Sequence, residues 1–189
     1  MTLRFAIIGT REPSQEQLER VVNLLEWLKG QHGQFELVTG CSTGTEEFAM
    51  QVARSMGLPR VGVVPFGKFN RHVQKHCSSI KCMEEMTEIE LAVARESGRK
   101  YHQSGQFLGP DILDLKARIF LIVRDVERVI AFPSSRQYGG NSGYGMRVAR
   151  GIRVPVWCID HRGKRVPLER FIDERGEITY PQQQLCANY

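Results

Sequence analysis

The chain has 189 residues, 41% hydrophobic and 25% charged, with a formal net charge of +5. This suits one domain with small appendages better than two full domains. No apolar run reaches the length of a membrane span, and the run after Met1 is too short for a secretory signal, so a cytoplasmic protein is expected. The five cysteines are odd in number and scattered, which excludes a disulfide framework. Cys77 and Cys82 lie near His72 and His76 without a zinc-type C-x-x-C spacing, so neither a metal nor a cofactor is assigned.

Leu3 to Ile8 reads as a buried first strand ending at Gly9. After the loop Gly9-Thr10-Arg11-Glu12-Pro13, Ser14 and Gln17 make a capping-box pattern. Leu18, Val21, Val22, Leu25 and Leu28 then recur at helical spacing as far as Gly30. Phe35 to Thr39 is a second strand, and Gly40-Cys41-Ser42-Thr43-Gly44-Thr45 leads into a helix over Glu46 to Met56. Val61 to Val64 is a third strand. This βαβαβ order calls for a parallel sheet with right-handed crossovers.

From Phe66 to Gly109 the pattern is irregular, with a helix at Glu84 to Glu96 and a loop over Ser97 to Pro110. Asp111 to Arg124 reads as a helix with Ile112, Leu115, Ile119 and Ile122 or Val123 inward. Arg128 to Phe132 is a strand ending at Pro133. The loop Ser134 to Gly143 carries Gly139-Gly140-Asn141-Ser142-Gly143, and a short helix follows from Tyr144 to Arg150. Val154 to Ile159 is a further strand, followed by a turn at Arg162-Gly163 and a short helix near Leu168 to Asp173. The division expected is a domain over residues 1–160, with an excursion at about 66–110, and a C-terminal extension over 161–189.

Three glycine-bearing loops thus each follow a strand and precede a helix, at the edge of a parallel sheet where ligands bind. Their chemistry suits an anion: glycine admits close backbone approach, amides at a helix start are unpaired, and the helix dipole favours negative charge. Ser42, Thr43, Thr45 and Ser142 add hydroxyls. Neither a Walker A nor a G-x-G-x-x-G motif is present, which disfavours an ordinary nucleotide triphosphatase or a nicotinamide dehydrogenase.

The runs Ile7-Ile8-Gly9-Thr10-Arg11, Val38-Thr39-Gly40-Cys41-Ser42-Thr43-Gly44-Thr45-Glu46, and Val129-Ile130-Ala131-Phe132-Pro133 with Gly143-Tyr144-Gly145-Met146 resemble the SLOG superfamily. That group unites Smf/DprA DNA-processing proteins with LOG-type phosphoribohydrolases, and the likeness is nearest to its small YspA-like members. The resemblance implies a Rossmann-like, doubly wound α/β fold with a mainly parallel sheet and helices on both faces. It also implies a nucleotide, nucleotide-derived or nucleic-acid ligand, and self-association through helices flanking the third loop. Carried over by position, the ligand-binding candidates are Gly9, Thr10 and Arg11, then Gly40, Cys41, Ser42, Thr43, Gly44, Thr45 and Glu46, then Arg118. Pro133, Gly139, Gly140, Asn141, Ser142, Gly143 and Tyr144 complete the set.

Several of these residues have two readings. Glu46 is a ribose-binding or catalytic carboxylate, or a first-turn acid that complements the helix dipole. Arg11 and Arg118 suit bidentate phosphate binding, and Arg118 alternatively pairs with Asp114 one turn earlier. Tyr144 stacks on a base or is a half-buried aromatic. Arg147 stands where LOG-type hydrolases carry a glutamate, which leaves Glu46 or Glu47 as the carboxylate for any N-glycosidic chemistry. Three functions follow: a sensor or binding module for a phosphate-bearing nucleotide or nucleotide derivative, a nucleoside-monophosphate N-glycosidase, and a nucleic-acid binder. For the last, the basic stretch Lys68, Arg71, Lys75 and Lys81 is read as lacking interleaved aromatics.

Overall fold

A computed structural model describes residues 2–102, 109–134 and 140–171. The first strand, β1 (Arg4–Gly9), alternates its side chains between two interiors. Phe5 and Ile7 join one core with Val21, Leu25 and Leu28, while Ala6 and Ile8 join another with Ile119, Ile122 and Tyr144. A strand apolar on both faces belongs at the centre of a covered parallel sheet, and β1 lies there.

The elements that follow are α1 (Gln15–His32), β2 (Glu36–Thr39), α2 (Thr45–Ser55), β3 (Arg60–Val64), α3 (Arg71–Gln74) and β4 (Ser79–Cys82). Next come α4 (Glu88–Lys100), α5 (Pro110–Val123), β5 (Arg128–Phe132), α6 (Asn141–Gly151), β6 (Val156–Ile159) and β7 (Arg165–Val166). The seven strands among the described residues run in the order β4-β3-β2-β1-β5-β6-β7. All pairs are parallel except β6 with β7. Helices α1 and α2 cover one face, and α4, α5 and α6 the other. This is the doubly wound, Rossmann-like architecture, and the strand order reverses between β1 and β5.

Ser14 and Gln17 form the expected reciprocal cap, but α1 runs past Gly30 to His32. Gly30 is exposed with open space around it. The stop is Gly33, at φ +70, whose amide donates to the Lys29 carbonyl. Gln17 is also buried, and its Nε2 donates to the Pro133 carbonyl at 3.1 Å and the Ile159 carbonyl at 3.3 Å. It thereby ties α1 to the ends of β5 and β6.

The excursion is ordered differently from its sequence reading. Ser79–Cys82 is an edge strand paired with β3, its first two residues exposed and so without an apolar pattern to announce it. The next helix starts later than expected because Thr87 and Glu90 form a second capping box. It then passes through Gly98 to Lys100. Gly98 is a helix-crossing glycine rather than a loop residue: a Cβ there would lie 3.2 Å from Leu113 Cδ1 and 3.3 Å from the Ala117 amide.

That crossing also sets the phase of α5. Leu113 and Ala117 are buried, whereas Ile112, expected inward, is half exposed. Downstream, the turn at Arg162-Gly163 is closed by the Asp160 carboxylate, which accepts the Arg162 and Lys164 amides at 2.9 Å each. The β6–β7 hairpin spans the expected boundary at 160, and Phe171 packs into the α5/α6 core. No described helix is long and apolar enough to cross a membrane.

Candidate functional site

Where the strand order reverses, the ends of β1 and β5 open a cleft of about 480 Å³, the place at which open α/β sheets take ligands. The first loop lines it with Gly9, Thr10, Arg11 and Glu12. The second contributes Ser42, and the third Ser134, Gly140, Asn141 and Ser142. The three loops therefore meet in one crevice, but unequally.

The first loop is tightly fixed. The Thr10 amide donates to the Phe132 carbonyl at 2.9 Å, and the Thr10 carbonyl accepts both the amide and the hydroxyl of Thr45. Gly44 makes this approach possible: its φ is +82, and a Cβ would sit 2.4 Å from the Arg11 carbonyl oxygen. Arg11 itself is exposed at the cleft, and Glu12 adds an acidic rim beside it.

The second loop is organised from within. Glu46 is 5% exposed, and its Oε2 accepts the Gly40 amide at 2.9 Å and the Ser42 amide at 3.1 Å. The Cys41 amide donates to Thr39 Oγ1. These three amides are thus occupied by protein, and Glu46 lies behind the loop, away from the cleft lining. Cys41 is buried, Thr45 packs against Gly9, and Thr43 and Gly44 form the entry to α2.

Arg118 is neither at the cleft wall nor paired with Asp114. It is 2% exposed, donates Nη1 to the Gly40 carbonyl at 2.7 Å and lies 4.5 Å over the Phe69 ring. Its Nε has no hydrogen-bond partner among the described residues. Asp114 is taken by a bidentate contact from Arg95 at 2.7 and 3.0 Å. Arg118 therefore holds the second loop from below, with Glu46 beside it.

In the third loop, Pro133 is buried with its carbonyl on Gln17, and Gly139 lies outside the described residues. The helix begins three residues earlier than expected. Gly140 is its N-cap, with no side-chain cap among the described residues. Asn141 and Ser142 occupy the first turn at the cleft, so the amides of that turn have no intrahelical acceptor. Gly143 and Tyr144 point inward. The Tyr144 ring is fully buried, and its hydroxyl donates to the Gly98 and Ser97 carbonyls at 3.1 and 3.3 Å. It is a core residue linking α6 to α4, and burial holds its phenol above the usual range.

The local field is positive. Lys116 contacts Asn141 Oδ1 at 3.4 Å and lies 4.8 Å over the Tyr144 ring. Burial, then Arg147 and Arg118, hold its ammonium below the ordinary lysine range. Arg118 is lowered by burial and by Arg11, against the raising influence of Glu46 and Cys41. Cations gathered behind a helix start favour an anion in front of it. Sequence reasoning missed Lys116, which stands between Asp114 and Arg118 on α5 and has no motif that sets it apart from an ordinary solvated lysine. It also missed Gln17, visible only as a capping residue.

The aromatic content of the basic stretch is corrected as well. Phe66 is 44% exposed and lies edge-on to Phe69 at 5.7 Å, with Lys68 between them in sequence and Arg71 exposed beyond. The segment abuts the second loop, where Asn70 Nδ2 donates to the Cys41 carbonyl at 3.0 Å. Aromatics and cations are therefore interleaved in the segment that packs against the second loop. Among the described residues no group of three or more His, Cys, Asp or Glu is placed to hold a metal.

Comparison with solved structures gives the same fold at low identity. DNA processing protein A from Helicobacter pylori, described for its single-stranded DNA binding mode, superposes with a TM-score of 0.56 and 18% identity over 82% of this chain and 64% of that one. DNA processing protein A from Streptococcus pneumoniae gives 0.55 and 14%, over 83% and 50%. The chain thus spans less than two thirds of either protein. The molybdenum cofactor binding protein from Rippkaea orientalis gives 0.57 and 17%, over 85% and 77%. No curated protein matches the sequence. Residues 2–108 match the family described as DNA recombination-mediator protein A. The chain belongs to that family, within the SLOG superfamily.

Proposed function

We propose that this protein binds single-stranded nucleic acid across the carboxyl-terminal edge of its sheet, with one phosphate entering the cleft at the start of α6. The observation that carries this reading is the first turn of α6, without a side-chain cap among the described residues, opening into a polar cleft beside Arg11, with Lys116 behind it. Phosphate suits such a helix start, and the guanidinium of Arg11 suits phosphate. The exposed Phe66, with Lys68 and Arg71, supplies the stacking and backbone contacts typical of single-strand binding. Family membership and the single-stranded DNA binding of the Helicobacter pylori protein support the same reading.

The test is fluorescence anisotropy of a labelled oligothymidylate across a salt series. Affinity falls with salt, and Arg11→Ala lowers the logarithmic slope by roughly 0.7, the amount expected for one lost phosphate contact on a single strand. Phe66→Ala weakens binding by about 1–3 kcal/mol if one base stacks there. A flat salt response, or both variants binding like the parent, overturns the proposal.

A second reading is favoured by the cleft's size, about 480 Å³, which lies within the roughly 300–1,000 Å³ range of small-molecule sites. Here the ligand is a free nucleotide or another phosphate-bearing small molecule, held by the first and third loops. It predicts stabilisation of about 2.7 kcal/mol at a hundredfold excess over Kd, lost in Arg11→Ala and retained in Phe66→Ala. An N-glycosidase reading through Glu46 has less support, because that carboxylate is committed to the Gly40 and Ser42 amides.

A further inference from the structure

We propose that Cys41 and Cys77 form a thiol-oxidation site, which a hydroperoxide converts into a disulfide joining the second loop to the segment between α3 and β4. The two sulfurs lie 3.5 Å apart although the residues are 36 positions apart in sequence. They meet over Gly62 of β3, where a Cβ would fall 2.4 Å from the Cys41 sulfur and 2.8 Å from that of Cys77. A side chain at position 62 would therefore separate them. The Asn70–Cys41 hydrogen bond holds the start of α3 against the second loop, and closing an S–S bond of about 2.05 Å from the observed separation requires a sulfur displacement of roughly 1.5 Å.

The pair is chemically unequal. Cys77 is partly exposed. A hydrogen bond joins the two thiols, and with Arg60 nearby it lowers the Cys77 thiol below its ordinary value against the opposing effect of burial. Cys41 is buried and held well above that value. Cys77 is thus the reacting sulfur and Cys41 the resolving one. The other described cysteines are engaged elsewhere, Cys82 with Glu84 and Cys158 with the Met146 sulfur.

In the first step the Cys77 thiolate attacks the terminal peroxide oxygen. An S–O bond forms as the O–O bond breaks, and the departing alkoxide takes a proton from solvent to leave as an alcohol, or as water from hydrogen peroxide. The sulfur is oxidised by two electrons to a sulfenic acid and the peroxide is reduced. The Cys41 sulfur then attacks the Cys77 sulfur. The S–S bond forms, the S–O bond breaks, and the hydroxide leaves with the Cys41 proton as water.

The experiment treats the full chain with hydrogen peroxide, blocks remaining thiols with N-ethylmaleimide, and maps peptides without reductant by mass spectrometry. The expected product is a reductant-sensitive crosslink between the Cys41 and Cys77 peptides. In Cys41→Ser, checked for folding by circular dichroism, dimedone traps a sulfenic acid on Cys77; in Cys77→Ser, Cys41 stays unmodified. The crosslink assay uses the unmutated chain, so it stands even if a variant fails to fold. Full N-ethylmaleimide labelling of Cys77 after peroxide, or a crosslink that bypasses this pair, overturns the proposal.

Discussion

Replacing Glu46 separates a carboxylate that organises the second loop from one that performs chemistry. Its Oε2 accepts two buried backbone amides, from Gly40 and Ser42, and it stands beside the buried Arg118. A hydrogen bond to a charged group is worth about 1.5–3 kcal/mol and a neutral one about 0.5–1.5. Glu46→Gln, which keeps the shape and weakens both bonds, should therefore cost about 2 kcal/mol. Glu46→Ala leaves two buried donors unsatisfied at about 1–3 kcal/mol each, hence about 2–6 in all. For a chain of this size each kcal/mol is worth about 2–4 °C, so Glu46→Gln should lower Tm by about 4–8 °C and Glu46→Ala by more. Urea unfolding followed by circular dichroism should show the midpoint falling at constant slope. In an Arg118→Met background the Gln substitution should cost less, because the neighbouring cation is gone. Tm values within about 1 °C of the parent for both single variants would refute the organising role.

Other outcomes follow from the same geometry. Gly44→Ala should destabilise the fold by about 1–3 kcal/mol or more, since a Cβ there meets the Arg11 carbonyl at positive φ; chemical denaturation checks it. Burial pushes the Cys158 thiol from 9.0 up to about 12, so between those values the folded state keeps a proton that the unfolded state has lost. Stability then falls as pH rises through that window, and Cys158→Val should gain on the parent between pH 8 and pH 10 in urea titrations. The Arg95–Asp114 pair links α4 to α5 with side chains 40% and 28% exposed, so a double-mutant cycle should return a coupling of about 1 kcal/mol or less.

The central sheet was legible because its strands are continuous apolar runs punctuated by Gly9, Gly40 and Pro133, and a parallel sheet covered on both faces needs that pattern. The edge strand Ser79–Cys82 was not legible, since exposed Ser79 and Ile80 break any apolar signal. Gly98 misled for a different reason: a glycine chosen for close helix crossing looks, in one dimension, like a loop glycine. At the site, the positions of the loops could be read from sequence but their internal bonding could not. Glu46 reaches back to Gly40 and Ser42, and Arg118 arrives from 78 residues away to meet the Gly40 carbonyl. Tyr144 was misplaced because α6 starts at Asn141, and that shift turns the ring from the cleft toward α4.

The two margins of the sheet are poor templates for growth. At one, β4 offers only four residues, with Lys81 among them; at the other, β7 offers two, and Arg165 there is folded over the Trp157 ring at 4.8 Å. An extended peptide or a neighbouring molecule seeking to add a strand would find few free backbone partners and a positive charge at each rim. A protein built this way should resist fibrillar assembly even when concentrated, although five of its strands are rich in the β-branched and aromatic residues that favour it.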